Sequence, residues 1–218
     1  MRSGSSLLLH LLMTSPQVIG CGERNKIYRD IDDLIVFAVK ANMERDRLHW
    51  PGYYVDQLNH DRFLPDQRLL LDPAVVPILL FREPASSVCS MVEVFSKLGK
   101  FTLQEGIEYY RMRVKTLAHY ADMLAPQKKL FALTYDELVA DTTHCLQELQ
   151  DYLGLSSTLK EHYRTYPFTG IRGDPSSRIS SGHVVRQQVE RKLSIDEPDL
   201  QELMDVYDAC RVATGKSG

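Results

Sequence analysis

The chain has little that could cross-link a fold through sulfur or metal. Only 4 of its 218 residues are cysteines, and they lie far apart without a CxxC or Cys/His cluster. This argues against a disulfide framework or a metal site and favours a reducing compartment. With 12 Gly, 10 Pro and 44% hydrophobic residues, the composition excludes collagen-like and disordered chains and is typical of a globular protein.

Long apolar runs and excess positive charge are also missing. No stretch reaches the roughly 18 consecutive apolar residues of a membrane-spanning helix. The 26 basic and 29 acidic residues give a net charge of -3, so no global positive field attracts nucleic acid or an anionic membrane. We therefore expect no nucleic-acid partner and no integral membrane association, and the length of 218 residues predicts a single domain spanning residues 1–218.

Helical and strand patterns alternate along the chain. Apolar residues at helical spacing predict an amphipathic helix over 28–43, with Ile31, Leu34, Ile35, Ala38 and Val39 on its apolar face. The runs 75–81 and 129–134 predict buried parallel strands, and 53–59 a short strand. Further helices are expected from Pro84, from a Thr102–Glu105 capping box, from Asp141 to a stop at Gly154, and over 198–212. The alternation predicts an α/β layered fold with ligands at the carboxyl ends of the strands.

The first residues form a small, hydroxyl-rich turn, Arg2-Ser3-Gly4-Ser5-Ser6, that leads into an apolar helical segment. Small residues let backbone N–H groups converge on an anion, and the helix adds its positive N-terminal end. The turn therefore predicts a phosphate cradle, although the GxxxxGK[ST] pattern is absent. The alternative interpretation is a lipoprotein signal that ends before Cys21, which would make the protein membrane-anchored.

A sheet of this kind needs a strand that leads into the phosphate turn, and here the turn comes at once after Met1. The expectation is that translation starts upstream of Met1, or that the strand is supplied in another way.

A second anion site is predicted after the strand 75–81. Arg82 stands where this strand ends, and Ser90 follows eight residues later on the next helix. An arginine, a helix N-terminus and a hydroxyl together suit an anion. The alternatives are a surface ion pair between Arg82 and Glu83 and a structural role for Ser90.

Taken together, these segments resemble the PAPS-dependent sulfotransferases, over most of the chain and in the family's order. RSGSS followed by LLLHLL is similar to the 5'-phosphosulfate loop, PILLFREPASSVCSMV to the 3'-phosphate segment, and LTYDELVADTTHCLQELQDYLGL to the family's strand, Tyr and helix stretch. The tyrosylprotein and bacterial branch is the most similar, because Arg2 stands where the cytosolic hormone-sulfating branch has Lys. The resemblance implies a P-loop NTPase-like three-layer fold, with a central, mostly parallel sheet flanked by helices.

The resemblance also implies an activity: transfer of a sulfuryl group from PAPS to an acceptor hydroxyl, with PAP as product and no metal, in the cytoplasm. It assigns Arg2, Ser3, Gly4, Ser5 and Ser6 to the 5'-phosphosulfate, Arg82 and Ser90 to the 3'-phosphate, and Tyr135 to the adenine or ribose. The chain departs from the family pattern at Ala85 and Ser86, where a basic residue is common. The loop 173–180 is expected to cover the nucleotide in place of the RKGxxG-type loop.

Three residues are candidates for the chemistry of transfer. Arg2 is a fixed cation that would stabilise charge on the leaving oxygen. The acceptor hydroxyl must lose its proton to a base, and Glu23 is the first choice because the tyrosylprotein branch keeps a carboxylate there. His60 is the second choice. His10 is interpreted as a helix-face residue.

Two other classes of function remain open: a P-loop kinase or NTPase, and a catalytically degenerate chain that only binds nucleotide. The acceptor, small or polymeric, is not encoded in a recognisable motif, and neither is the oligomeric state. Aromatic residues that could line an acceptor cleft, or belong to the core, are Trp50, Tyr53, Tyr166 and Phe168.

Overall fold

The computed structural model describes residues 2–45, 52–95, 101–127, 130–172, 178–186 and 194–216. Helices and short parallel strands alternate, which confirms the α/β class predicted from the sequence. The chain divides into two compact units. The first unit comprises Met1–Ser3, Val76–Leu138 and Gln187–Gly218, and the second comprises Gly4–Val75 and Val139–Arg186. The expectation of a single domain stays a prediction.

In the first unit, a parallel strand pair is covered by long helices. Strand β3 (Ile78–Phe81) pairs with β4 (Phe131–Thr134), with Phe81 opposite Thr134. The chain between the two strands forms α4 (Pro84–Phe95) and α5 (Leu103–Leu124), and α5 packs against α4, β3 and α8 (Glu197–Ala213). The core contains fully buried side chains of Tyr110 and Phe81.

The local signals that the sequence carries for α5 are confirmed. Thr102 caps the helix, its hydroxyl accepts from the N–H of Glu105, and the Glu105 carboxylate accepts from the N–H of Thr102. This reciprocal pair satisfies two of the N–H groups that a helix start leaves without partners. Pro84 begins α4, as predicted.

The second unit is built around another parallel pair. Strand β1 (Val18–Gly20) pairs with β2 (Tyr53–Val55), with Gly20 opposite Val55. Helix α1 (Ser5–Leu12) precedes β1, and α2 (Ile31–Glu44) connects the two strands. The remaining helices are α3 (Gln67–Leu71), α6 (Tyr135–Ala140), which runs across the boundary of the two units, and α7 (Thr142–Leu153).

Helix α2 has its apolar face in a different place from the one predicted. The helix begins at Ile31 behind the Asp30 cap, and Phe37, Ala38 and Ala41 are its buried residues. Ile31, Ile35 and Val39, expected on the inner face, are exposed. The residues 28–30, expected to be helical, lie outside α2, because the Asp30 side chain accepts from the N–H of Asp33 and fixes the helix start there.

Candidate functional site

The predicted phosphate turn begins in the first unit and continues in the second. Gly4 has a φ of +88°, in the left-handed region that glycine adopts without strain, and it directly precedes α1. No side chain of the described residues caps the N-terminus of α1, and its first turn holds no acidic residue. An uncapped helix start after such a turn suits an anion, because its N–H groups are available as donors.

The serines of α1 contact the segment that follows β2. The Ser5 hydroxyl donates to the Asn59 side-chain carbonyl at 2.9 Å, and the buried Ser6 hydroxyl donates to the Gln57 side-chain carbonyl at 3.4 Å. These contacts lie within the second unit and hold the start of α1 against the carboxyl end of β2. Gln57 and Asn59 were missed from the sequence, although polar side chains just after a parallel strand are a usable signal.

Arg82 and Tyr135 come together because of strand register. Phe81 and Thr134 are opposite each other in the parallel pair, so the next residue of each strand lies at the same edge. There the Arg82 guanidinium carbon lies 4.1 Å from the centre of the Tyr135 ring, a cation–π contact. Buried Tyr110 donates its hydroxyl to the Arg82 carbonyl at 2.6 Å, which fixes the backbone from which the arginine extends.

Arg2 reaches the other residue of the predicted 3'-phosphate set. Its Nε donates to the Ser90 hydroxyl at 3.4 Å, and both residues belong to the first unit. Arg2, from the predicted 5'-phosphosulfate set, is therefore in direct contact with Ser90, from the predicted 3'-phosphate set.

The N-terminus of α4 does not have the role expected from the sequence. The N–H groups of Ala85 and Ser86 both donate to the Glu83 carboxylate at 2.8 Å. Because this carboxylate already occupies the helix start, its amides are not available to an anion as predicted. Glu83 therefore acts as the cap of α4. Arg82 and Ser90 remain as the anion-binding candidates of this segment.

The two candidates for the base, Glu23 and His60, are neighbours. His60 Nε2 lies 3.7 Å from Glu23 Oε1, and the Glu23 side chain is 10% exposed against 37% for His60. The buried Glu23 Oε1 receives no hydrogen bond from any described residue. A largely buried carboxylate oxygen without a donor is able to accept a proton from a hydroxyl.

The segment that carries Glu23 is held by Asp56, the first residue after β2. The Asp56 carboxylate accepts from the N–H of Arg24 at 3.1 Å and from the Tyr28 hydroxyl at 2.6 Å. Burial raises the pKa of Asp56 to about 6, although these hydrogen bonds act in the opposite direction. Gly22 has a φ of +76°, and a Cβ there would lie 2.8 Å from Arg172 Cβ, so the turn before Glu23 requires glycine.

His10 is a buried residue of α1 with both ring nitrogens engaged. Nδ1 lies 2.7 Å from the Ser6 carbonyl, so it carries the proton, and Nε2 accepts from the Thr169 hydroxyl at 2.8 Å. Burial lowers the pKa of His10 and favours this neutral form. The rings of Tyr163, Tyr166 and Phe168 surround it at 5.3 to 5.7 Å. Two of the four aromatics proposed for an acceptor cleft, Tyr166 and Phe168, therefore pack on His10.

The remaining candidate positions are Trp50, Tyr53, the loop 173–180 and Cys21. Trp50 and residues 173–177 of the expected nucleotide-covering loop lie outside the described residues. The Tyr53 hydroxyl donates to the Leu153 carbonyl. Cys21 is buried in a core cluster with Ile19 and Phe37. All four cysteines are free thiols.

Comparisons with protein-family models and with curated proteins found no match for this chain. Within the described ranges, no helix is both long and apolar enough to cross a membrane. The same residues contain no group of three or more His, Cys, Asp or Glu side chains arranged to hold a metal ion.

Proposed function

We propose that the chain is a PAPS-dependent sulfotransferase with a P-loop-like three-layer fold. The observation that carries this proposal is the contact between Arg2 and Ser90, because it joins one residue of each predicted anion set. Two anion sets suit a ligand with two anionic groups, and PAPS carries a 3'-phosphate and a 5'-phosphosulfate. The uncapped start of α1 fits an anionic group.

Each set has a defined part in the proposal. Arg82 and Ser90 bind the 3'-phosphate. The face of the Tyr135 ring contacts the guanidinium of Arg82 and keeps it in position. The turn Arg2–Ser6 binds the 5'-phosphosulfate through its amides, hydroxyls and the Arg2 cation. PAPS supplies an activated sulfuryl group that a hydroxyl can accept.

The residues of the chain then supply charge stabilisation and a base. The Arg2 guanidinium stabilises the negative charge that develops on the phosphate oxygen as its bond to sulfur breaks. Glu23 takes the proton of the acceptor hydroxyl as the new bond from oxygen to sulfur forms. Glu23 is favoured over His60 for this role because its carboxylate is more buried and Oε1 receives no hydrogen bond from the described residues. His60 is assigned to positioning Glu23.

Two other functions make different demands on these residues. A P-loop kinase or NTPase would place a lysine in the turn, and Arg2–Ser6 contains none. A catalytically degenerate chain would bind PAP without turning over PAPS. A cytoplasmic location is part of the proposal, because four free thiols suit a reducing compartment.

The test is a calorimetric comparison of PAP, 5'-AMP and 3'-AMP on wild type and two arginine variants. Arg82→Ala should weaken PAP by about 10- to 100-fold, as expected for a lost charge-assisted contact, and should leave 5'-AMP nearly unchanged. Arg68→Ala is the matched control, because the Arg68 side chain is 90% exposed and pairs with neighbouring Asp66. Equal effects of the two variants on PAP, or PAP binding no tighter than 5'-AMP, would contradict the proposal.

A further inference from the structure

Helix α2 carries an apolar surface on the side opposite the core. The outer face of α2 consists of Ile31, Ile35, Val36, Val39 and Met43, which are 39% to 76% exposed. Together with Ile27 just before the helix, they make up six of the nine exposed large hydrophobic residues of the described chain. Exposed apolar residues concentrated in this way mark interaction sites, whereas scattered ones need no explanation.

The other side of the same helix is already in a core. Phe37 and Ala41 belong to the buried cluster that includes Ile19 and Tyr28, and Leu34 packs against it. A helix with apolar residues on two sides is expected to bury both sides. The described residues therefore cover the inner face of α2 and leave its outer face exposed.

Charge decides what kind of surface covers this face. At 100° per residue, Asp32 lies within the outer face, between Val39 and Met43. Asp32 and Lys40 are both exposed, and neither forms an ion pair within the described ranges. A lipid surface would have to accept an unpaired carboxylate among the apolar groups, which is costly. The covering surface must therefore provide a cation opposite Asp32.

We propose that the outer face of α2 binds the outer face of α2 in a second copy of this chain, antiparallel across a two-fold axis that crosses the interface at the level of residue 37 along the helix. This arrangement places Ile35 opposite Val39 of the second copy and Ile31 opposite its Met43. Along the helix axis, Lys40 of the second copy then lies about 3 Å from the position directly opposite Asp32. The long side chain of Lys40 can span this distance. The inference is independent of the proposed catalytic function.

Symmetry strengthens the assignment to a second copy. In a two-fold interface each contact occurs twice, so one Asp32 and one Lys40 per chain supply two ion pairs. Antiparallel packing also sets the macrodipoles of the two α2 helices in opposite directions. The opposed helix dipoles make this orientation favourable.

Sedimentation equilibrium of the full chain over a range of protein concentrations tests the proposal. Wild type should form a dimer, and Val39→Glu should raise its dissociation constant at least about tenfold, as expected at the centre of an interface. The matched control is Met112→Glu on α5, at a residue 53% exposed, which should leave the dimer unchanged. Circular dichroism melts check that both variants fold.

Charge exchange separates this pairing from any other dimer. Asp32→Lys and Lys40→Asp should each weaken dimerisation by about tenfold, and the double variant should return to within about threefold of wild type. A chain that stays monomeric, a dimer that ignores Val39→Glu, or a double variant no better than the single ones would overturn the proposal. So would flotation of the monomer with phospholipid vesicles that Val39→Glu abolishes, because it would assign the face to a membrane.

Discussion

Replacement of Asp56 by Asn should change how the stability of the protein depends on pH. The carboxylate holds the segment of Glu23 through the Arg24 N–H and the Tyr28 hydroxyl, yet burial raises its pKa from 3.8 to about 6. Below pH 4, Asp56 is protonated in the folded protein. As the pH rises towards 7, the folded protein must ionise a buried group, so its stability falls over this window.

The magnitude follows from the size of the shift. About two pKa units correspond to about 3 kcal/mol of unfolding free energy, lost progressively between roughly pH 4 and pH 7. Asn keeps an acceptor for the backbone N–H groups and carries no charge, so Asp56→Asn should lack this loss. The variant should match wild type near pH 4 and exceed it by about 3 kcal/mol at pH 7.5.

The free energy of unfolding of wild type and of Asp56→Asn is measured in urea at several pH values. The difference between the two proteins removes the contributions that the other carboxylates make to both. Asp66→Asn is the control, because Arg68 lowers the pKa of this exposed cap. Its difference from wild type should have the opposite sign. Parallel stability curves for wild type and Asp56→Asn would refute the reasoning, because they would mean that Asp56 ionises as readily in the folded chain as in the unfolded one.

Three further outcomes are expected at the candidate site. Glu23→Gln should lower kcat for sulfuryl transfer by about 100-fold or more without changing PAP affinity, and His60→Asn should lower it less than tenfold; the reverse order in steady-state assays would assign the base to His60. Tyr110→Phe should cost about 1 to 2 kcal/mol in urea unfolding, because the Arg82 carbonyl loses the buried hydroxyl that donates to it, and an unchanged midpoint would contradict this. Tyr135→Phe should retain PAP affinity and Tyr135→Leu should lose about three- to tenfold by calorimetry; equal losses would show that the ring face is not used.

The elements were predictable where the signal is local. The capping box of Thr102, the Pro84 start and the Gly154 stop each depend on a few adjacent residues, and all are confirmed. The inner face of α2 was not predictable in this way. Both sides of this helix are apolar, and only the packing of Phe37 against a neighbouring core decides which one is buried.

In the candidate site, too, the residue types were predictable from the sequence, whereas the contacts between distant segments were not. The adjacency of Arg82 and Tyr135 follows from a parallel register that the two strand predictions did not specify. Glu23 and His60 are 37 residues apart in sequence, and the pairing of β1 with β2 brings their segments together, with His60 Nε2 3.7 Å from Glu23 Oε1. Asp56 was missed because the predicted strand extended past it.

The most direct test of the central claim is the affinity of the wild-type chain for PAP and for ATP, measured by calorimetry with and without EDTA. We expect PAP to bind at least about tenfold more tightly than ATP, as two matched anion sites imply, and EDTA to leave its affinity unchanged. Tighter binding of ATP that EDTA abolishes would instead indicate a kinase or NTPase. A folded chain that binds no PAP would contradict the assignment of Arg82, Ser90 and the turn Arg2–Ser6 to this nucleotide.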